Sequence, residues 1–337
     1  MKLVEKFDAN KLAYIVNNKQ KFKLNKSYDS KARIDYLRTI FGQDYDPYKM
    51  AEKYLSKSRG GQIDVQYKQT ESKGRYHAVR GMSMQGMAVE IRHTITSGLY
   101  KDIDIKNCHP VLLQWLCESK NIKCKKLTHY INNRDECLSK VHKNKDFAKQ
   151  VVLALLNGGK KLYKELNKKP EWLVEFKNEV KKIHEKLAEE KEFKQHKKKR
   201  EKKGLTFNHE GSYMNIKLCQ IENKILMCIF EELDKPNNAV LCFDGLMVPL
   251  DTEVDMPKLE EAVADQVGID IQLVEKPMDQ GFELPDNIPQ HIDYTQPNSF
   301  DYSDKYDYQQ FQNEFKEAEF ASYEDLHDTL YKIYPKV

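Results

Sequence analysis

Tyr100-Lys-Asp102-Ile-Asp104-Ile-Lys-Asn107-Cys-His109-Pro110 is the stretch on which the reading of this chain turns. It has the character of a strand, and Pro110 suits the first turn of a following helix. A strand-to-helix junction is where a sheet offers side chains to a cleft. A second stretch lies 140 residues later, Ala239-Val-Leu-Cys-Phe243-Asp244-Gly245-Leu-Met-Val248. It sets another aspartate between two apolar runs and reads as a hairpin turning at Asp244-Gly245. If that hairpin lies beside the Asp104 strand, Asp104 and Asp244 can share a pair of divalent cations. Each segment alone also has a plainer reading. Asp102 is then a turn residue, Asp104 a helix N-cap, and Asp244-Gly245 a favoured turn that binds nothing. Asp102-x-Asp104 also matches a short metal-binding pattern of glycosyltransferases.

The chain around these segments is long and wet. Its 337 residues are 40% hydrophobic and 32% charged, with a mean hydropathy of −0.76. That length allows one large domain or two to three subdomains. No apolar run reaches the ~18 residues of a membrane span. The N-terminus lacks the apolar stretch of a signal peptide. The seven cysteines contain no Cys-x-x-Cys pair and read as reduced thiols of an intracellular, non-secreted protein, not as a zinc site or disulfide frame. The net charge of +4 conceals an acidic tail. Residues 281–337 hold 12 Asp/Glu against 4 Lys/Arg, so the preceding 280 residues carry +12. A basic body suits a polyanion, though plain solubility explains it as well.

Periodicity predicts helices over residues 1–58, with helical spacing in Ser30–Leu55 interrupted around Gly42–Pro47, then a short strand at Ile63–Tyr67 and a helix at Gln85–Ser97. A strand at Tyr100–Ile105, a helix from Pro110 to Lys120 and a helix at Asp146–Leu156 follow. Glu171–Lys203 is a charged helical stretch ending in a lysine run, which reads first as a solvated face. Residues 212–233 form a further helix and 239–250 the hairpin. At the 146–156 helix, Lys145 and Lys149 share a face that can meet a triphosphate, and Gly158-Gly159 allows close approach, though an ordinary amphipathic helix with a glycine cap explains the segment alone. Gly74-Arg75, Gln85 and Arg92 are candidates for touching a nucleic-acid duplex.

In this order the elements resemble family A polymerases, the group of DNA polymerase I and the phage-type RNA polymerases. Lys145-x3-Lys149-x7-Asn157-Gly158 keeps the spacing of that family's nucleotide-binding helix. The chain departs from the family at His109, where a Glu is usual, at Leu153 and Asn157, where aromatics are usual, and at Phe243-Asp244-Gly245, where His-Asp-Glu is usual. These departures are similar to the transposon–viral branch of virophages and giant-virus-associated elements, often fused to a superfamily 3 helicase.

The resemblance implies an α+β fold, a right-hand polymerase with a small antiparallel palm. Residues 1–61 would be a thumb-like helical region, 62–110 and 205–280 the palm, 111–204 the fingers, and 281–337 a tail or linker. It implies DNA-directed DNA synthesis with two Mg²⁺ ions, for which Mn²⁺ can substitute. Asp104, Asp244 and the Ile105 carbonyl would hold metal. Lys149, assisted by Lys145, would serve the triphosphate, with Asn157 and Gly158 at the nucleotide and His109 at the sugar 2′ position. Arg75, Gln85 and Arg92 would contact a DNA primer–template, with RNA as a further possibility.

The same site could instead make primers from NTPs. A protein of another class, a non-catalytic binding factor for a helicase, would need the lysines but neither aspartate. A Mg²⁺ nuclease would need the carboxylates but not the lysine helix.

Overall fold

A computed structural model describes residues 1–24, 38, 46–69, 73–79, 82–202 and 204–291. The fold is α+β, with two small antiparallel sheets. The chain divides into two compact units. Among the described residues, one joins Met1–Lys106 to residues 223–291; the other is Asn107–Glu222. The breaks between the units fall at 106/107 and 222/223.

In the first unit, β1 (Lys2–Lys6), β2 (Gln62–Gln69) and β3 (Tyr76–Ala78) form one antiparallel sheet in that order. β1 corrects the expectation that 1–58 is helical throughout. Leu3 and Glu5 alternate inward along a five-residue strand, too short for its period to stand out. Helix α1 (Ala9–Asn17) starts where Asp8 accepts from the Lys11 amide at 3.0 Å. Helix α2 (Pro47–Lys57) has Pro47 in its first turn and Asp46 as its cap. The part of the expected Ser30–Leu55 helix before 46, residue 38 apart, lies outside the described residues. A 3₁₀ turn at Met84–Gly86 and helix α3 (Val89–Thr96) occupy the predicted 85–97 helix.

The second sheet has the order β5-β6-β4-β7, where β4 is Tyr100–Ile105, β5 Val240–Cys242, β6 Gly245–Pro249 and β7 Leu273–Lys276. All its pairings are antiparallel. Strand β4 is central and almost wholly buried. Sequence periodicity missed β7, a four-residue strand whose last two residues are exposed.

The second unit is helical: α4 (Cys108–Ser119), α5 (Lys125–Asn132), α6 (Arg134–Val141), α7 (Lys145–Leu156), α8 (Lys161–Glu165), α9 (Glu171–Leu187) and α10 (Lys191–Lys202). The predicted 171–203 stretch is therefore two helices. Within its lysine run Lys197, Lys198, Lys199 and Lys202 are exposed. Arg200 is instead buried, donating to Ser212 Oγ at 2.8 Å and the Phe207 carbonyl at 3.1 Å. Helix α11 (His209–Glu232) contributes its residues to Glu222 here and the rest to the first unit. Helix α12 (Met256–Val267), in the first unit, is capped by Asp255 and ends on left-handed Gly268.

The tail begins as packed chain. Phe282 donates its amide to Thr94 Oγ1 at 2.7 Å, and His291 to Asn10 Oδ1 at 2.7 Å. Residues 292–337, where most of the expected tail falls, lie outside the described residues.

Candidate functional site

Asp102 and Asp104 project from the same face of β4, because side chains alternate along a strand. Both are buried at 8% exposure. Asp104 pairs with Gly245 on one side and Val274 on the other; Asp102 pairs with Met247 and Lys276. The β5–β6 hairpin closes with Cys242 opposite Gly245, so its turn is Phe243-Asp244. The sequence reading had placed the turn one residue later. Asp244 therefore directly precedes the residue facing Asp104. The Ile105 amide donates to the Asp244 carbonyl at 3.2 Å, locking the turn to the end of β4.

Two residues make this approach possible. Phe243 sits at φ +66°, a region uncommon for an aromatic. Its ring is held 5.5 Å from the ring of His77, with the Arg75 guanidinium 5.0 Å over its face. Gly245 has no alternative: a Cβ there would lie 2.8 Å from Asp104 Oδ1 and 2.9 Å from the Ile103 carbonyl.

The face is electrostatically crowded. Burial, and then Asp244, push the Asp104 carboxyl up to about 7, while Lys276 acts the other way. Burial also raises Asp102, against the opposing pull of Arg92 and Lys276. Lys276 forms an ion pair with Asp104 Oδ2. Neighbouring carboxylates with oxygen donors alone and this degree of mutual repulsion suit a hard divalent cation such as Mg²⁺. They are not a closed ligand shell. Among the described residues, the group of three or more metal-type donors drawn within 4.8 Å of one another lies elsewhere, at His109, Cys219 and Glu222. Mg²⁺ retains several waters and needs only one or two carboxylates, so an open set is compatible with it.

Of the other candidates in this unit, Arg92 lies at the carboxylates and donates to the Met84 carbonyl at 3.4 Å. Gln85 is buried, and its amide is taken up within the chain. Nε2 donates to the Leu241 carbonyl at 2.7 Å and the Tyr76 carbonyl at 2.9 Å, and Oε1 accepts from the Ala78 amide at 3.2 Å. Gln85 thus stitches β3 to β5 where a duplex contact was expected. Ile105 pairs with Leu273.

In the helical unit, Lys145 and Lys149 are exposed on α7, Lys145 paired with Asp135 at 3.0 Å. Asn157 ends the helix by bonding back to the Leu153 carbonyl at 2.9 Å. Gly158, at φ +82°, is tight against Asn208: a Cβ would meet Asn208 Oδ1 at 2.2 Å. The close approach expected of a template is made by the chain itself. His109 Nε2 lies 3.0 Å from Glu222 Oε2, and Glu222 is wholly buried. Burial would lower the His109 ring, but its bonds to Cys219 and Glu222 outweigh this and lift it to about 9.

Lys276 and Glu222 carry no site signal in the sequence, and Asp102 enters only through the short Asp-x-Asp pattern. The two-residue spacing of Asp102 and Asp104 already put them on one face. Lys276 carried no signal, since its strand went unrecognised. Glu222 hid among the polar residues of a long helix.

No family model matches the chain. A protein named "Putative helicase V13", from the Sputnik virophage, is 30% identical over 285 residues. The match covers 78% of this chain and 35% of that protein, so the chain spans about a third of its curated relative. These findings overturn the family A assignment: no polymerase family model matches, and the relative bears a helicase name. The right-hand architecture, which rested on that resemblance, loses its basis. Among the described residues no helix is long and apolar enough to cross a membrane.

Proposed function

We propose that the chain is a replication-associated nucleic-acid module working beside a helicase, and that its aspartates carry out metal-dependent nucleotidyl transfer in primer synthesis. The observation that carries this reading is the register that sets Asp244 at the end of β4, next to Asp104. The relative's helicase name and the +12 charge of residues 1–280 favour a nucleic-acid partner. No Gly-x4-Gly-Lys-Ser/Thr run occurs in the 337 residues, so the reading assigns no P-loop ATPase step to this chain.

In this reading Asp104 and Asp244 hold Mg²⁺, and Asp102 supplies further negative charge on the same face. Bound there, the ions would activate the attacking hydroxyl and neutralise the triphosphate. Arg92 and Lys276 oppose, in part, the rise that burial imposes on the carboxyls in the absence of metal. Exposed Lys145 and Lys149 are the phosphate-contact candidates of the helical unit.

The test is synthesis on single-stranded templates with Mg²⁺, with and without a labelled primer, supplying NTPs or dNTPs, for wild type and Asp104→Ala. Primer-independent products from NTPs that vanish in the mutant support the proposal. Extension of an existing primer alone would mean a polymerase reaction at the same carboxylates. No product, with strand binding untouched by the mutation, would leave a binding factor.

A further inference from the structure

We propose that His109, Cys219 and Glu222 form a binding site for a zinc-type divalent cation. None of the three is needed by the carboxylates of β4 and the β5–β6 turn, and the site stands or falls independently of the nucleotidyl-transfer reading.

The argument starts from spacing. Cys219 and Glu222 are three apart on α11, so they share one helix face. His109, in the first turn of α4, meets that face. One donor atom from each residue lies within 4.8 Å of the other two, and His109 Nε2 is already 3.0 Å from Glu222 Oε2. Cys108 Sγ donates to the same glutamate oxygen at 3.8 Å and stands outside the group of three. Nitrogen, thiolate and carboxylate are the ligand types of zinc. Sulfur selects against Mg²⁺, which separates this site from the aspartates.

Charge supports the same conclusion. Glu222 has no exposure, and a buried carboxylate is strongly destabilising unless neutralised. Without metal, its partner is the His109 ring, 3.0 Å away. With metal, a dication is balanced by the Glu222 carboxylate and the Cys219 thiolate, while His109 binds as the neutral ring. Binding releases to solvent whatever protons these ligands carry. The product is a neutral clip between α4 and α11 across more than a hundred residues of intervening chain.

The experiment uses the full chain, free of any histidine tag. Metal content is measured after expression with zinc, and the metal-free protein is then titrated with Co²⁺. We expect stoichiometric zinc and a thiolate-to-cobalt charge-transfer band. Cys219→Ser should lose the band and weaken Co²⁺ binding at least ten-fold, given that even outer-shell partners are worth roughly 10–100-fold in affinity. Cys137→Ser, a buried thiol of α6, should retain both. Circular dichroism checks that the variants fold. If Cys219→Ser does not fold, the wild-type cobalt spectrum decides alone. Folded wild type with neither zinc nor a thiolate band overturns the proposal. So does metal binding that survives Cys219→Ser, or that Cys137→Ser abolishes.

Discussion

Asp104 faces Gly245 across the β4–β6 pair so closely that a single methyl group on the glycine would strike the carboxylate at 2.8 Å and the Ile103 carbonyl at 2.9 Å. One of these obstacles is backbone and cannot swing aside. The glycine is therefore what lets the turn bring Asp244 up to Asp104.

Gly245→Ala should destabilise the first unit by about 1–3 kcal/mol, the range for overpacking a well-filled site. The shift in denaturation midpoint measures it. An alanine variant as stable as wild type would show that the strand pair is looser than described.

The crowded carboxylates set a pH dependence. The folded-state value of Asp104, about 7, lies above its ordinary 3.8. Its contribution to stability is therefore fully present below the ordinary value and is lost as pH rises through about 7. The melting temperature in EDTA should fall over that interval. Asp244→Asn should shrink the fall, and Mg²⁺ should raise the melting temperature more above the interval than below it. A pH profile indifferent to Asp244→Asn would remove the coupling.

Lys276 supplies the charge that opposes this repulsion. Lys276→Met should lower the melting temperature of the metal-free protein, most at the alkaline end, and added Mg²⁺ should restore part of the loss. Equal loss with and without Mg²⁺ would assign Lys276 a packing role only.

Glu5 is a second buried carboxylate, with a different purpose. It accepts from Tyr54 at 2.7 Å, Tyr67 at 2.6 Å and the Met84 amide at 2.8 Å, and also bonds Ser83. Burial raises its carboxyl despite these donors. Glu5→Ala would strand several buried donors at about 1–3 kcal/mol each. Glu5→Gln, which keeps the shape and one acceptor, should be milder. Urea denaturation of the two variants distinguishes a hydrogen-bonded hub from mere space filling.

The α10 lysine run tests the partner. Changing Lys197, Lys198 and Lys199 together to Ala should leave the fold intact, since all three are exposed. If they contact phosphates, each should flatten the salt dependence of single-strand binding by roughly 0.7 in log–log slope. Arg200→Ala should instead destabilise, because its guanidinium is buried on Ser212 and Phe207. An unchanged slope in the triple variant would return the run to a solvated face.

The elements most legible in the sequence were those with a strong local signature. Strand β4 and helices α4 and α7 fall within a residue or two of expectation, because their patterns and the flanking Pro110 and Gly158 are local signals. The hairpin was also legible, but its turn was displaced by one residue. Asp-Gly is the commoner turn pair, and here Gly245 was needed for contact with Asp104 instead. The short strands β1 and β7 left little trace, since four or five residues give at most two periods. Gln85 misled because a polar residue among apolar ones looks like a binding group, whereas its amide completes backbone bonding between two strands. The His109–Glu222 contact spans 113 positions, and no local pattern reports such a pairing.

The central place of β4 has a consequence for how the protein is made. Both neighbours of this strand, β6 and β7, come from the far end of the unit, with the whole Asn107–Glu222 segment between. Asp104 leaves the ribosome about 170 residues before Val274, its last strand partner. Until β6 emerges β4 has two unpaired edges, and until β7 emerges it has one. The aspartates can come together only after the helical segment has been synthesised, and that late, long-range closure is the kind of contact that slows folding.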